Sequence, residues 1–288
     1  MKVVPQVFYQ HPRIEKVLID GLSCVILKNV KQADLQNERY LASHALTLVL
    51  NGGLQVETPE GDLTIVQKNQ IILLPRGLYM ISDIIPKDNS FEAIVFFFDE
   101  EITDEFLNNF EVFTKEDTST NLVLEYDQNL RLFTDTLLTL YRGKNQHQFT
   151  RPKLLELLHL ISISKQGSEF LSKLFQLKKR AKKNIRTFMN NNFDKPLDVE
   201  DYSYLTGRSI STFRRDFKSK FGISPKKWLT ERRLEKASFL LKDTNDSVTS
   251  IARQVGYENT PHFIKTFQKK FNISPKQFQI KYRKDIMI

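Results

Sequence analysis

Two clusters of polar residues in the last third of the chain have the types and spacing to hydrogen-bond an anion or the edge of a base. Ser209, Ser211, Thr212, Arg214, Arg215 and Lys218 form the first; Asn259, Thr260, His262 and Lys265 form the second. Short hydroxyls and amides at a helix start suit phosphate and groove contacts. Arginine can pair bidentately with guanine, and lysine holds phosphate. Beside each cluster runs a stripe of phenylalanines at i, i+4 and i+8: Phe213, Phe217 and Phe221, then Phe263, Phe267 and Phe271. Such a stripe is the core face of an amphipathic helix, which leaves the cations on the opposite face. A cationic face is often only a solvated surface, so the clusters need support from their surroundings.

Catalytic chemistry finds less material. Cys24 is the single cysteine, which excludes a disulfide framework and a cysteine-rich zinc site. It lies in the apolar run Ser23-Cys24-Val25-Ile26-Leu27 and reads as core, not as the activated thiol that methyl-transfer repair needs. His44, with His11 upstream, has no His-x-His partner, which speaks against the metal centre that small barrels can hold. No Gly-rich phosphate loop or Ser/His/Asp pattern appears. The expectation is a non-enzyme without metal or cofactor. Tyr40, His44, Arg76, Tyr79 and Phe97 are candidates to line a ligand pocket in the N-terminal half. The alternative there is a side-chain-filled interior that serves only as a dimerisation scaffold.

The elements that must position the polar clusters are legible as a repeat. The twelve residues Phe217–Trp228 recur as Phe267–Phe278, each with the pattern Phe-x-x-Lys-Phe-x-Ile-Ser-Pro-Lys. Each copy reads as helix, tight turn, helix. In the first, Asp198 caps a helix to about Thr206, with Asp201 favourable to its dipole. Gly207 supplies the turn, and Ser209 caps a second helix that ends at Gly222. In the second, a helix from about Ser247 carries Ile251, Ala252 and Val255, turns at Gly256, and restarts near Asn259 with Pro261 in its first turn. Ser203 and Ala252 are small where two helices must approach closely, and Ser224-Pro225 and Ser274-Pro275 open the helices that follow.

Charge separates the halves. Residues 1–150 carry 13 Lys and Arg against 21 Asp and Glu, a net −8; residues 151–288 carry 30 against 13, a net +17. An acidic module joined to a basic one suggests regulation in the first and a polyanion partner for the second. The basic run Lys178 to Lys183 opens the last segment, with a boundary between Gly167 and Lys178. Upstream, short β-branched and aromatic runs cover 17–19, 23–27, 46–50, 54–56, 63–66, 71–74 and 93–98, separated by turn signals such as Asn51-Gly52-Gly53. Their close spacing predicts an antiparallel barrel or sandwich. After Asp99 the period turns helical. Leu130, Phe133, Leu137, Leu138 and Tyr141 share a face, followed by Leu154, Leu155, Leu158 and Ile161, then Leu171 and Leu174. These stripes are either core or a dimer seam. With no signal peptide and no 18-residue apolar run, a cytoplasmic protein without membrane association is expected.

Residues from about 180 to 285 resemble the DNA-binding domain of the AraC/XylS family of transcription regulators. The linker signature stands as Arg233-Leu-Glu-Lys-Ala-Ser-Phe-Leu-Leu241. The second-unit signature stands as Ser247-Val-Thr-Ser-Ile-Ala-Arg-Gln-Val-Gly-Tyr257, then His262-Phe263, Phe267, Phe271 and Ile273-Ser274-Pro275. The N-terminal half is similar to the family's cupin-like sensing domain through His44–Gly52 and Gln70–Pro75. The resemblance implies an α+β chain: a cupin-like barrel at 1–102, a helical dimerisation or linker region at 103–177, and two helix-turn-helix units at 178–288. It implies two three-helix units joined by a long helix from about Pro225 to Lys242, holding recognition helices about 34 Å apart, one DNA turn. It implies double-stranded DNA and RNA polymerase as partners, activation of transcription, a homodimer, and a small-molecule or protein effector at the N-terminal domain. Three positions depart from the pattern: Asn272 stands where the first copy has Gly222, Tyr202 where a smaller aliphatic residue is usual, and Pro261 removes a donor near the expected DNA face, which weakens direct base reading by the second unit.

Overall fold

The computed structural model describes residues 2–9, 11–12, 14–31, 37–86, 90–111, 122–144, 146–178 and 182–282. The chain opens with β1 (Lys2–Val4), α1 (Gln6–Tyr9), β2 (Ile14–Asp20), β3 (Ser23–Val30), β4 (Asn37–Leu41) and β5 (His44–Asn51). It continues with β6 (Gly53–Glu57), β7 (Leu63–Gln67), β8 (Gln70–Leu74), β9 (Gly77–Ile84) and β10 (Phe91–Phe98). Then come α2 (Glu100–Leu107), β11 (Leu122–Glu125), α3 (Gln128–Tyr141), α4 (Thr150–Ser162) and α5 (Gly167–Lys178). The strands form two sheets, one in the order β1-β4-β9-β6-β7 and one in the order β11-β8-β5-β10-β3-β2. All pairings are antiparallel except β1 with β4.

Strand alternation divides the interior. On β10, Phe91, Ala93, Val95 and Phe97 pack with Cys24, Ile26, Ala45 and Val49 between the sheets. Ile94, Phe96 and Phe98 point the other way, with Leu46 and Leu48, into a second core shared with Phe106, Leu130, Phe133, Leu137, Leu154 and Phe170. The period of two along a strand produces this partition. The helical stripes are therefore core: Leu130, Phe133, Leu137 and Tyr141 are buried against the sheet and do not form a seam. Because α2–α5 share a core with strands, the helical region expected as a separate part at 103–177 belongs to one unit with the sheets. The chain divides into units at 1–179 and 180–288.

Four strands went unread in the sequence. β4 is polar (Asn37-Glu38-Arg39-Tyr40-Leu41), β1 and β11 are short, and β9 mixes Met80, Ser82 and Asp83 among its apolar residues. Of the basic run, residues 179–181 lie outside the described residues; Lys178 ends α5 and pairs with Asp104 at 2.8 Å.

The C-terminal unit is helical: α6 (Ile185–Asn192), α7 (Val199–Leu205), α8 (Ile210–Phe221), α9 (Pro225–Asp243), α10 (Val248–Gln254), α11 (Thr260–Phe271) and α12 (Pro275–Tyr282). The repeat returns as geometry. Phe217 meets Trp228 edge-on at 5.7 Å and Phe221 at 4.3 Å; Phe267 meets Phe278 edge-on at 5.3 Å and Phe271 at 4.4 Å. Both stripes are core, with Phe213, Phe217, Phe263 and Phe267 fully buried. Among the described residues, no helix is long and apolar enough to cross a membrane.

Candidate nucleic-acid interface

Local chemistry sets each helix that carries a polar cluster. Asp198 accepts from the Asp201 backbone N–H while the Asp201 side chain accepts from that of Asp198, a reciprocal box that starts α7. Gly207, at φ +69°, turns the chain. Arg208 then braces the turn by donating to the carbonyls of Thr206 and Lys183 and pairing with Asp216 at 3.2 Å. Ser209 caps α8 by accepting from Thr212 N–H, and its hydroxyl lies 3.0 Å from Thr212 Oγ1 and 3.2 Å from Ser211 Oγ. In the second copy, Ser247 caps α10 and Asn259 caps α11 by accepting from His262 N–H at 2.8 Å. Pro261 sits in the first turn of α11, where a missing N–H removes no intrahelical bond.

The cations stand opposite the phenylalanines. Arg214, Arg215, Lys218, His262 and Lys265 are exposed, as is Ser211, while Thr212 and Thr260 are half-buried. Arg215 is 78 % exposed and lies 3.7 Å from Asp216. Arg214 on α8 and Asn259 and His262 at the start of α11 line one groove of about 560 Å³, with Leu229 and Arg233 of α9 also lining it. Ser209, Ser211, Thr212, Arg215, Lys218, Thr260 and Lys265 lie on the same two helices outside that lining. Lys226 and Tyr257 also line the groove, and sequence reasoning passed over both. Lys226 follows the Ser224-Pro225 cap, a signal that could have marked it. Burial raises the Tyr257 hydroxyl above the ordinary tyrosine range, with Arg233 opposing the shift. That keeps it a neutral hydrogen-bonding group.

The N-terminal candidates divide. Phe97 lines a small cavity of about 40 Å³ between the sheets, together with Phe8, Lys28, Arg39 and Thr47. Lys28 of that lining donates to Asp83 at 2.7 Å, and both side chains are buried. Tyr40, His44, Arg76 and Tyr79 are not among the residues lining that cavity; they cluster with one another and with their neighbours. Arg76 Nε donates to the Tyr40 hydroxyl at 2.9 Å, Arg76 N–H to His44 Nδ1 at 3.1 Å, and the Tyr79 hydroxyl to the Pro75 carbonyl. Their bonds fasten β4, β5 and the β8–β9 turn. The Cys24 thiol is fully buried, and burial pushes its pKa up to about 12, so it is not an activated nucleophile. Among the described residues, no group of three or more His, Cys, Asp or Glu side chains is placed to hold a metal ion.

Comparison with known proteins covers both halves. Residues 44–173 match the model of the ExsA N-terminal regulatory domain, and residues 202–281 match a helix-turn-helix domain model. The virulence regulon transcriptional activator VirF of Yersinia enterocolitica is 30% identical over 131 residues, 46% of this chain and 48% of VirF. The HTH-type transcriptional regulator ExsA of Pseudomonas aeruginosa is 32% identical over 123 residues, 43% of this chain and 44% of ExsA. The chain thus spans about half the length of the relatives it matches. The crystal structure of unsaturated fatty acid bound wild-type ToxT from Vibrio cholerae aligns with 90% of this chain and 95% of its own, at 12% identity and a TM-score of 0.45.

Proposed function

The chain belongs to the AraC/XylS family of DNA-binding transcription regulators, and from that premise we propose that it is a sequence-specific activator that reads two successive major grooves. The observation that carries this reading is the shared groove: Arg214 of α8 and His262 of α11, both exposed, line one groove of a single helical unit. Side chains on two such helices reach base edges half a dozen at a time, while Lys218 and Lys265 suit the flanking phosphates. The net +17 of residues 151–288 supplies attraction to the polyanion. Activation is supported by the name of the VirF relative, and in this reading RNA polymerase is the further partner.

Regulation belongs to the N-terminal unit in this reading, through an effector that is a small molecule or a partner protein. The cavity lined by Lys28, Arg39 and Phe97 supports the first. A homodimer is supported by the outer face of α3, where Leu132 is 61 % and Leu140 is 48 % exposed. Light scattering of the full chain and of Leu132→Glu tests the dimer; a wild type of monomer mass at micromolar concentration would sink it.

Selection from random duplexes by the full chain, at near-physiological salt, tests the main reading. Recovery of a bipartite motif with half-sites about 10 base pairs apart is the expected result. Binding without enrichment that vanishes as salt rises would reduce the unit to a non-specific polyanion binder.

A further inference from the structure

We propose that Arg233 and Gly256 form a joint that sets the half-site spacing the protein accepts, which makes them specificity-determining residues; the proposal rests on the two-groove reading above. Arg233 projects from the middle of α9. Its Nε donates to the Phe193 carbonyl at 2.7 Å, and its Nη2 donates to the carbonyls of Lys195 at 2.6 Å and Leu197 at 3.0 Å. All three acceptors lie on the loop between α6 and α7, within the first helix-turn-helix unit. Lys236, nearly one turn further along α9, adds an ion pair to Asp194 at 2.5 Å. Tyr202 holds the start of the same loop by donating to the Asn192 carbonyl at 2.7 Å.

The second unit meets this loop through its turn. Gly256 has φ +84°, and a Cβ there would lie 2.8 Å from the carbonyl oxygens of Asp194 and Lys195 and 3.0 Å from Arg233 Nε. The loop at 193–197 is therefore held by α9 on one side and touched by the second unit's turn on the other. A side chain at 256 would have to displace backbone carbonyls, and one of these, that of Lys195, is an Arg233 acceptor. Arg233 also lines the groove that Arg214 and His262 line, so the joint lies between the two recognition helices. A rigid guanidinium fork can make three bonds in fixed directions; a lysine at 233 would supply a single flexible point charge. Apart from the brace, α9 is fastened to the first unit by Trp228, which packs on Phe217 and Phe221, and to the second by Leu234, Ala237 and Leu241 in that unit's core. The brace ties the middle of α9 to the loop that the second unit's turn touches, and so fixes the angle between the two units. One base pair of added spacing moves the second half-site by about 3.4 Å and turns it by about 35°, a change that a braced pair of helices cannot follow.

The test uses the full chain as wild type, Arg233→Lys and Gly256→Ala. The duplexes carry the selected site at native spacing, at one base pair more and one fewer, and each half-site alone. Wild type is expected to lose about 100-fold in affinity when the spacing shifts, as a rigid linkage of two modules loses its second contact. Both variants are expected to lose about 10-fold at native spacing, to stay within about two-fold on single half-sites, and to lose less than about 10-fold more on a shift. A shift penalty in the variants equal to that of wild type overturns the joint. So does an equal loss on half-sites and full sites, which marks general damage to the unit. Indifference of the wild type itself to spacing overturns the two-groove reading and takes the joint with it. A second readout needs no DNA: spin labels at Lys218→Cys and Lys269→Cys, with Cys24 buried and silent, report the distance between α8 and α11. A narrow distribution that broadens in Arg233→Lys supports the joint, and an unchanged one overturns it.

Discussion

The two helix-turn-helix units share an interior and differ on the outside. Their aromatic clusters superpose in kind, Phe213-Phe217-Phe221-Trp228 against Phe263-Phe267-Phe271-Phe278, with the same edge-on contact closing each. Outward, the first unit offers Arg214, Arg215 and Lys218, and the second His262 and Lys265. One cation of the second unit turns back toward α9 instead: Lys270 donates to the Glu231 carbonyl and pairs with Glu235. His262, exposed, lies 6.0 Å from the Tyr257 ring. The difference teaches that one scaffold can carry two polar faces of different chemistry. The first presents two arginines, a side chain that suits bidentate base contacts, and the second a histidine and a lysine.

The equivalence of the interiors is the easiest part to break. Phe217→Ala and Phe267→Ala are each expected to cost about 3–5 kcal/mol in urea unfolding, because each removes a fully buried ring. A loss under about 1 kcal/mol in either copy would show that its cluster does not hold the unit together. The outward difference is sharpened next. Arg214→Ala is expected to cost about 1–3 kcal/mol on the selected site and to relax preference at one or two base pairs, whereas His262→Ala costs about 1 kcal/mol without relaxing it. Equal losses for Arg214→Ala on every sequence would make it a phosphate contact. Replacement of Lys218 by glutamine should flatten the slope of log affinity against log salt by about one unit. The smallest effect concerns the ends of the helices. Gly222, at φ +76°, and Asn272, at φ +60°, both cap in the left-handed region. Gly222→Ala meets open space yet should cost about 1 kcal/mol in backbone strain, while Asn272→Gly should change stability by only a few tenths of that.

Legibility followed the range of the interactions. Caps at Asp198, Ser209, Ser224, Ser247 and Asn259 are bonds across three residues, so residue type and spacing announce them. The glycine turns at 207 and 256 are local in the same way. What escaped was long-range. β4 has no apolar run because it borrows its order from β9 and β1 on either side. Lys28 and Asp83 are 55 residues apart and meet only when β3 and β9 face each other. Arg233 sits inside a legible signature, but nothing local shows that its guanidinium reaches carbonyls some 40 residues upstream. Tyr202, an oddity by sequence, is accounted for by its place beside that loop. Its hydroxyl bonds the Asn192 carbonyl, and burial pushes its pKa up to about 12, so it donates over the whole physiological range.

Strand β10 has no wet side, since residues facing both ways along it are buried. It behaves as a diaphragm. Interiors packed to crystal density transmit volume changes and do not absorb them. A molecule that widened the space beside Val95 and Phe97 would displace Phe96 and Phe98 on the far surface, and with them the seats of Phe133 on α3 and Phe106 on α2. A signal received inside the sheets would thus have a mechanical exit onto the helices, and it would need no moving loop to get there.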